Sequence, residues 1–278
     1  MIICINGKFH KKDKFEISVF DRGLNYGDGI FETIPTFKEK IIFLKEHINR
    51  LFEGCNKLYF KLPWDKKAML NLVNLTFEKN VKFEYGRIRI IVTRGTNKDG
   101  ASTEDVLQSP PELIIVITEN KLPSRVVAEK GLKLMTTKEL RPYPEIKTIN
   151  FIPSVLGQIL AKKKGYDDVL FVKENGDVLE GGRFNVFIVK NNILKTASHD
   201  VLNGVTAAKT IKMAQKMGFI TKKQKVQLDE LISADEVFAT GTTKRIIPII
   251  KVDNNTIANG KVGPITKQLM IKFSQLFY

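Results

Sequence analysis

Cysteine is scarce: Cys4 and Cys55 are the only two in 278 residues. Their spacing matches no metal-ligand pattern, and so few thiols point to a reducing compartment, the cytoplasm, and away from a disulfide-built scaffold. Long apolar runs are missing as well, since none reaches the ~18 residues that a membrane helix needs. The opening Met1-Ile2-Ile3-Cys4-Ile5-Asn6-Gly7 reads as a strand and turn without the basic region of a signal peptide. Repeats and low-complexity segments are absent. Acidic residues are in deficit, 30 Asp and Glu against 45 Lys and Arg, for a net charge of +15. A nucleic-acid surface would cluster its cations and interleave aromatics. Here the lysines are scattered, with only short groups such as Lys162-Lys163-Lys164 and Lys222-Lys223. The excess therefore reads as a solubilising surface that also attracts small anions, with no nucleic-acid or membrane partner expected.

What is present is ordinary globular material, 43% hydrophobic and 27% charged, enough for one large domain or two modest ones. Asp21-Arg22-Gly23-Leu24-Asn25-Tyr26-Gly27-Asp28-Gly29 reads as a backbone-dictated loop feeding a strand over 32–37, with its hairpin partner over 41–44. Leu44, Ile48, Leu51, Cys55 and Leu58 recur at helical spacing, and 64–79 reads as a second helix. Residues 87–93 alternate as a strand, so Arg87 and Arg89 share a face; 95–110 reads as a polar loop and 113–117 as a buried strand. The break at 119–125 reads as a linker between an N-terminal domain, 1–118, and a larger one, 126–278. In the second part, 131–136 and 168–173 read as strands and 152–164 as an apolar helix. Asn175-Gly176 predicts a type I′ hairpin, and Gly218 a helix stop after Thr206.

One short stretch organises the chemistry. Ile146-Lys147-Thr148-Ile149-Asn150 sets a lysine between a proline-rich approach, Arg141-Pro142-Tyr143-Pro144-Glu145, and the apolar helix. Downstream, a hairpin ends in Glu180, Gly204-Val205-Thr206 opens a helix, and Gly241-Thr242-Thr243 follows a strand. Pyridoxal phosphate asks for such a set. Its aldehyde needs a lysine amine, and its phosphate needs backbone N–H groups at a helix start plus an arginine. Its ring nitrogen needs a carboxylate, and its substrate needs a cation for the carboxylate. Lys147, Gly204-Val205-Thr206 with Arg50, Glu180, and Arg87 with Arg89 can supply these in turn. Other chemistries are open to the same residue types.

Along nearly its whole length the chain resembles the class IV aminotransferases, the fold-type IV family of pyridoxal-phosphate enzymes. The resemblance rests on Asp21-Arg22-Gly23 with Tyr26-Gly27-Asp28-Gly29 and Phe31-Glu32, on His47-Ile48-Asn49-Arg50-Leu51, and on Ile146-Lys147-Thr148-Ile149-Asn150. It rests further on Glu180 with Asn185-Val186-Phe187, on Leu202-Asn203-Gly204-Val205-Thr206, and on Gly241-Thr242-Thr243 with Pro248. It implies an α/β (α+β) fold of two domains, the larger a pseudo-barrel, and a homodimer. It implies that Lys147 forms the internal aldimine and shuttles the proton, that Arg50, Val205, Thr206 and Thr242 hold the phosphate, and that Glu180 pairs with the ring nitrogen. Tyr26, Phe31, Arg87, Arg89, Arg183, Thr243 and Lys244 would bind substrate. The implied reaction is ping-pong transfer from an amino acid to a 2-oxo acid such as 2-oxoglutarate.

The substrate is less well marked. Phe151 stands where many members have a tyrosine, and Ala207 where an arginine is frequent. Branched-chain aminotransferases carry Tyr-x-Arg where this chain has Arg87-Ile88-Arg89. Bacillary D-amino-acid aminotransferases carry Arg-x-His where it has Lys98-Asp99-Gly100. Thr93-Arg94-Gly95-Thr96 and Gly260-Lys261-Val262-Gly263-Pro264 nevertheless resemble the D-amino-acid group. D-amino acids such as D-alanine or D-glutamate are the first expectation. Branched-chain L-amino acids come second, and 4-amino-4-deoxychorismate lyase third. A basic nucleic-acid-binding protein is the rival from another class.

Overall fold

In the computed structural model the described residues are 1–96, 106, 109–122 and 125–277. The Lys98-Asp99-Gly100 stretch and most of the loop expected over 95–110 lie outside them. Contacts divide the chain into two units: Met1–Lys121 with Ile146–Asn150, and Leu122–Glu145 with Phe151–Tyr278.

The first unit contains β1 (Ile2–Ile5), β2 (Lys8–Lys11), α1 (Arg22–Tyr26), β3 (Gly29–Phe37) and β4 (Lys40–Ile41). It continues with α2 (Leu44–Lys57), α3 (Lys66–Glu78), β5 (Tyr85–Thr93) and β6 (Glu112–Glu119). Its strands form one antiparallel sheet in the order β2-β1-β6-β5-β3-β4. Alternation assigns the faces. Ile30 and Ile34 of β3, Ile88, Ile90 and Val92 of β5, and Leu113, Ile115 and Ile117 of β6 enter a core with Ile48 and Leu51 of α2 and Met69 and Val73 of α3. Arg87 and Arg89 stay exposed, as the alternation predicts. The segment expected to be a loop before β3 contains a one-turn helix, α1. Asp21 caps it by accepting from the Leu24 N–H, and Gly27 ends it in the left-handed region. Cys4 and Cys55 are free and buried, and burial pushes the Cys55 thiol up to about 12, so it is inert as a nucleophile.

Chain order would place Ile146–Asn150 in the second part, yet it belongs to the first unit. The reason is backbone pairing. The Phe31 N–H donates to the Lys147 carbonyl at 2.9 Å, and the Ile149 N–H donates to the Gly29 carbonyl at 3.0 Å. The segment thus extends the sheet along the β3 edge beyond the short β4.

The second unit contains α4 (Arg125–Lys130), β7 (Leu132–Thr137), α5 (Ile152–Lys163), β8 (Asp168–Val172), β9 (Val178–Gly181), β10 (Asn185–Lys190) and β11 (Ile193–Thr196). After these come α6 (Val205–Lys216), β12 (Ile220–Lys223), α7 (Leu228–Ile232), β13 (Glu236–Gly241), β14 (Arg245–Val252), β15 (Asn255–Thr256) and α8 (Pro264–Ser274). The last residue of the expected linker, Arg125, begins α4. The sheet closes on itself: β10-β13-β14-β7-β8-β9 returns to β10 through the pair Glu180 and Asn185. This circuit is the pseudo-barrel, with β7 parallel to both β8 and β14. Inward residues such as Leu134, Leu170, Val186, Val237 and Ile249 fill it. Cross-strand partners Phe187 and Phe238 stack with centroids 5.0 Å apart. The hairpin at Asn175-Gly176 forms, but only Gly176 has positive φ. The Gly176 N–H donates to the Lys173 carbonyl and the Lys173 N–H to that of Asp177. That pattern is a type I turn followed by a left-handed glycine, in place of type I′. Asn191 and Asn192 are both left-handed and make the two-residue turn between β10 and β11.

Candidate active site

The first unit gathers the cations. β3 turns Glu32 toward α2, where His47 and Arg50 lie one turn apart. Arg50 grips Glu32 with two points, Nε on Oε1 at 2.7 Å and Nη2 on Oε2 at 2.8 Å. His47 Nδ1 donates to Glu32 Oε2 at 2.8 Å. Glu32 is fully buried. Burial alone would raise its carboxyl, but the Arg50 and His47 beside it outweigh burial and hold it well below the usual carboxylate range. Burial pushes the His47 imidazole down against the pull of Glu32, with Arg50 and Lys147 adding to burial.

On the next residue of β3, the Phe31 ring carries two cations. Lys147 Nζ lies 4.4 Å and the Arg89 guanidinium 4.2 Å from its centroid. Their separation cannot exceed the sum of those distances. Arg87 instead donates from Nε to Thr118 Oγ1 at 3.0 Å. Tyr26 is exposed, with the Arg22 guanidinium 4.9 Å from its ring centroid.

The second unit supplies an anion and backbone donors. Glu180 is buried at the strand pair that closes the circuit. Arg141 Nη1 donates to its Oε1. Asn185 Nδ2 and the Leu202 N–H donate to its Oε2 at 3.3 and 3.2 Å. The same Asn185 Nδ2 reaches the Leu202 carbonyl at 2.8 Å. Gly204 follows as the N-cap of α6, with no side chain closing the helix start over Val205 and Thr206. An ideal Cβ on Gly204 would sit 2.0 Å from Asn185 Oδ1, so a side chain there would displace the Asn185 amide. Thr242 and Thr243 are half-buried in the turn between β13 and β14. Lys244 beside them donates to buried Asp168 at 3.0 Å, an anchor that its expected substrate role did not foresee. Arg183 is exposed.

The structure thus brings Lys147, Phe31 and Arg89 together, sets Arg50 within the same unit, and joins Glu180 to the turn before Val205 and Thr206. Sequence reasoning missed Glu32 as the holder of Arg50, Arg141 as the partner of Glu180, and Asn185 as a bridge. The only signal was their inclusion in quoted motifs. The donor set fits pyridoxal phosphate. It contains a primary amine, a buried carboxylate, a half-buried arginine, and a helix start at Gly204 with no side-chain cap.

Comparison with known proteins agrees with this chemistry. The family model described as amino-transferase class IV matches residues 29–252. A putative branched-chain-amino-acid aminotransferase of Methanocaldococcus jannaschii is 36% identical over 99% of this chain and 96% of its own length. A D-alanine aminotransferase of Staphylococcus epidermidis is 29% identical over 98% and 96%. Among solved structures, the branched-chain amino acid aminotransferase of Escherichia coli is similar. It superposes with a TM-score of 0.89 at 25% identity, covering 99% of this chain and 94% of that one.

Proposed function

The chain belongs to amino-transferase class IV, and from that premise we propose that it exchanges amino groups between branched-chain L-amino acids and a 2-oxo acid such as 2-oxoglutarate. It is a pyridoxal-phosphate-dependent aminotransferase acting on amino acids and keto acids. The observation that carries the finer reading is the Phe31 ring shared by Lys147 Nζ and Arg89. It sets an amine, a carboxylate receptor and an apolar surface together, which are the three needs of an apolar amino acid. The higher identity to the branched-chain relative supports that side-chain class. D-alanine and other D-amino acids form the second reading, supported by the staphylococcal relatives.

Bound pyridoxal phosphate supplies the electron-accepting ring through which the amino group is exchanged. In this reading Lys147 would hold it, and its Nζ would serve as the base for the proton at the substrate α-carbon. Arg50, the N–H groups of Val205 and Thr206, and Thr242 would hold the phosphate. Glu180 would pair with the ring nitrogen, and Arg89 would receive the substrate carboxylate. Arg87, Arg183, Thr243, Tyr26 and Lys244 are the further side chains that would meet substrate in this reading. We assign a homodimer as well. α5 leaves Ile152, Val155, Leu156, Ile159 and Leu160 exposed along one helical stripe, the kind of face a second copy covers. Among the described residues, no helix is long and apolar enough to cross a membrane.

A half-reaction screen tests the substrate. The purified enzyme is mixed with L-leucine, L-isoleucine, D-alanine or D-glutamate, and loss of the cofactor's absorption band is followed. Bleaching by the two L-amino acids is expected. Bleaching by D-alanine alone would replace the first reading with the second.

A further inference from the structure

Asn185 stands at a junction of three segments. Its backbone pairs with Glu180 on one side and with Thr240, two residues before Thr242, on the other. Its amide nitrogen faces two acceptors, Glu180 Oε2 at 3.3 Å and the Leu202 carbonyl at 2.8 Å. The Leu202 N–H closes the triangle on the same carboxylate oxygen. Its amide oxygen lies where a Cβ on Gly204 would be, 2.0 Å away. A primary amide is the group that suits this place. It supplies two N–H donors from one nitrogen and an oxygen on the opposite side. An aspartate would set a negative oxygen against the Glu180 carboxylate, and a serine is too short to span both acceptors.

We propose that Asn185 is a positioning residue that sets the distance between Glu180 and the two phosphate turns, so that one ligand engages both at once. The proposal rests on the reading above, in which Glu180 meets the ring nitrogen and Val205, Thr206 and Thr242 meet the phosphate. Asn185 acts through these residues. Its contribution is the match between their spacing and the length of the cofactor.

Joint engagement has its own signature: a gauge affects a two-headed ligand and spares the two heads offered separately. The probes are pyridoxine, which has the ring nitrogen and no aldehyde to react with Lys147, inorganic phosphate, and pyridoxine 5′-phosphate. Binding of each to the full chain is measured by calorimetry for the wild type, Asn185→Ser and Asn185→Gln. The second variant keeps the amide and carries it one methylene further out, so the test survives if Asn185→Ser does not fold. In both variants pyridoxine and phosphate should each bind within about twofold of wild type, while pyridoxine 5′-phosphate weakens about tenfold or more. Unchanged binding of pyridoxine 5′-phosphate overturns the proposal, and so does an equal weakening of all three probes, which marks a merely structural residue. A wild-type chain that binds pyridoxine 5′-phosphate no better than pyridoxine overturns the phosphate reading itself, and the gauge with it.

Discussion

In the first unit, charged side chains answer one another across elements: Glu32 on β3 is held by His47 and Arg50 on α2. In the second, besides one arginine, a strand amide and a backbone N–H hold Glu180. Two helix starts, one in each unit, also differ. α3 is closed by its own Asp65, whose Oδ1 accepts from the Ala68 N–H at 2.7 Å. α6 begins at Gly204 with no side-chain cap. A start closed by its own side chain is stabilised by satisfying its N–H groups, whereas one left open keeps them available to an anion, which is the role proposed for α6. The cations Lys147, Arg50 and Arg89 belong to the first unit, and buried Glu180 with the open start of α6 to the second.

The largest test of this division is Lys147→Ala. With fresh cofactor supplied, transamination should fall by about 10²–10⁴-fold, the worth of a positioned acid–base group; undiminished turnover would remove the lysine from the chemistry. Next, Glu32→Ala removes the buried carboxylate that holds both Arg50 and His47 and should cost about 3–5 kcal/mol of stability by denaturant titration. The double variant Glu32→Ala/Arg50→Met should recover much of that loss, which separates the charge of Arg50 from a lost contact. Acid should weaken the first unit in two stages. His47 is held below its ordinary value of 6.5, so as pH falls past that value the unfolded chain binds a proton that folded His47 refuses, and stability drops. Glu32 is held below its ordinary 4.5, so a further drop begins there and continues until pH passes the folded value. Melting temperatures measured downward from pH 8 should show both stages, and His47→Gln should lack the first. The smallest effect is Asp65→Ala, about 1 kcal/mol of stability with unchanged cofactor affinity; altered affinity would mean that α3 is more than scaffold.

How far the sequence could be read follows from the range of each interaction. α2, α5 and α6 were legible because their apolar positions recur every three or four residues, and β5 because Arg87 and Arg89 alternate with isoleucines. The lysine, the acid and the two Gly-Thr turns were legible as residue types, and resemblance supplied their roles. Pairings between distant segments were not. Arg141 meets Glu180 across 39 residues, Glu32 meets Arg50 across 18, and the circuit closes through one residue pair. No local periodicity encodes such contacts. The turn at Asn175-Gly176 was placed correctly and its type was not, because dipeptide preference does not decide which of two compatible backbone paths the flanking strands select.

The pairing of residues 147–149 with β3 has a consequence for error tolerance. Ile30 faces Thr148 across an isolated bridge, and side chains alternate along such a ladder. Displacing the segment by a single residue would present Thr148 or Ile146 where the amine belongs. The Lys147 amine is therefore indexed to Phe31 by backbone alignment, and an insertion or deletion between residues 141 and 147 should be tolerated only if that alignment survives it.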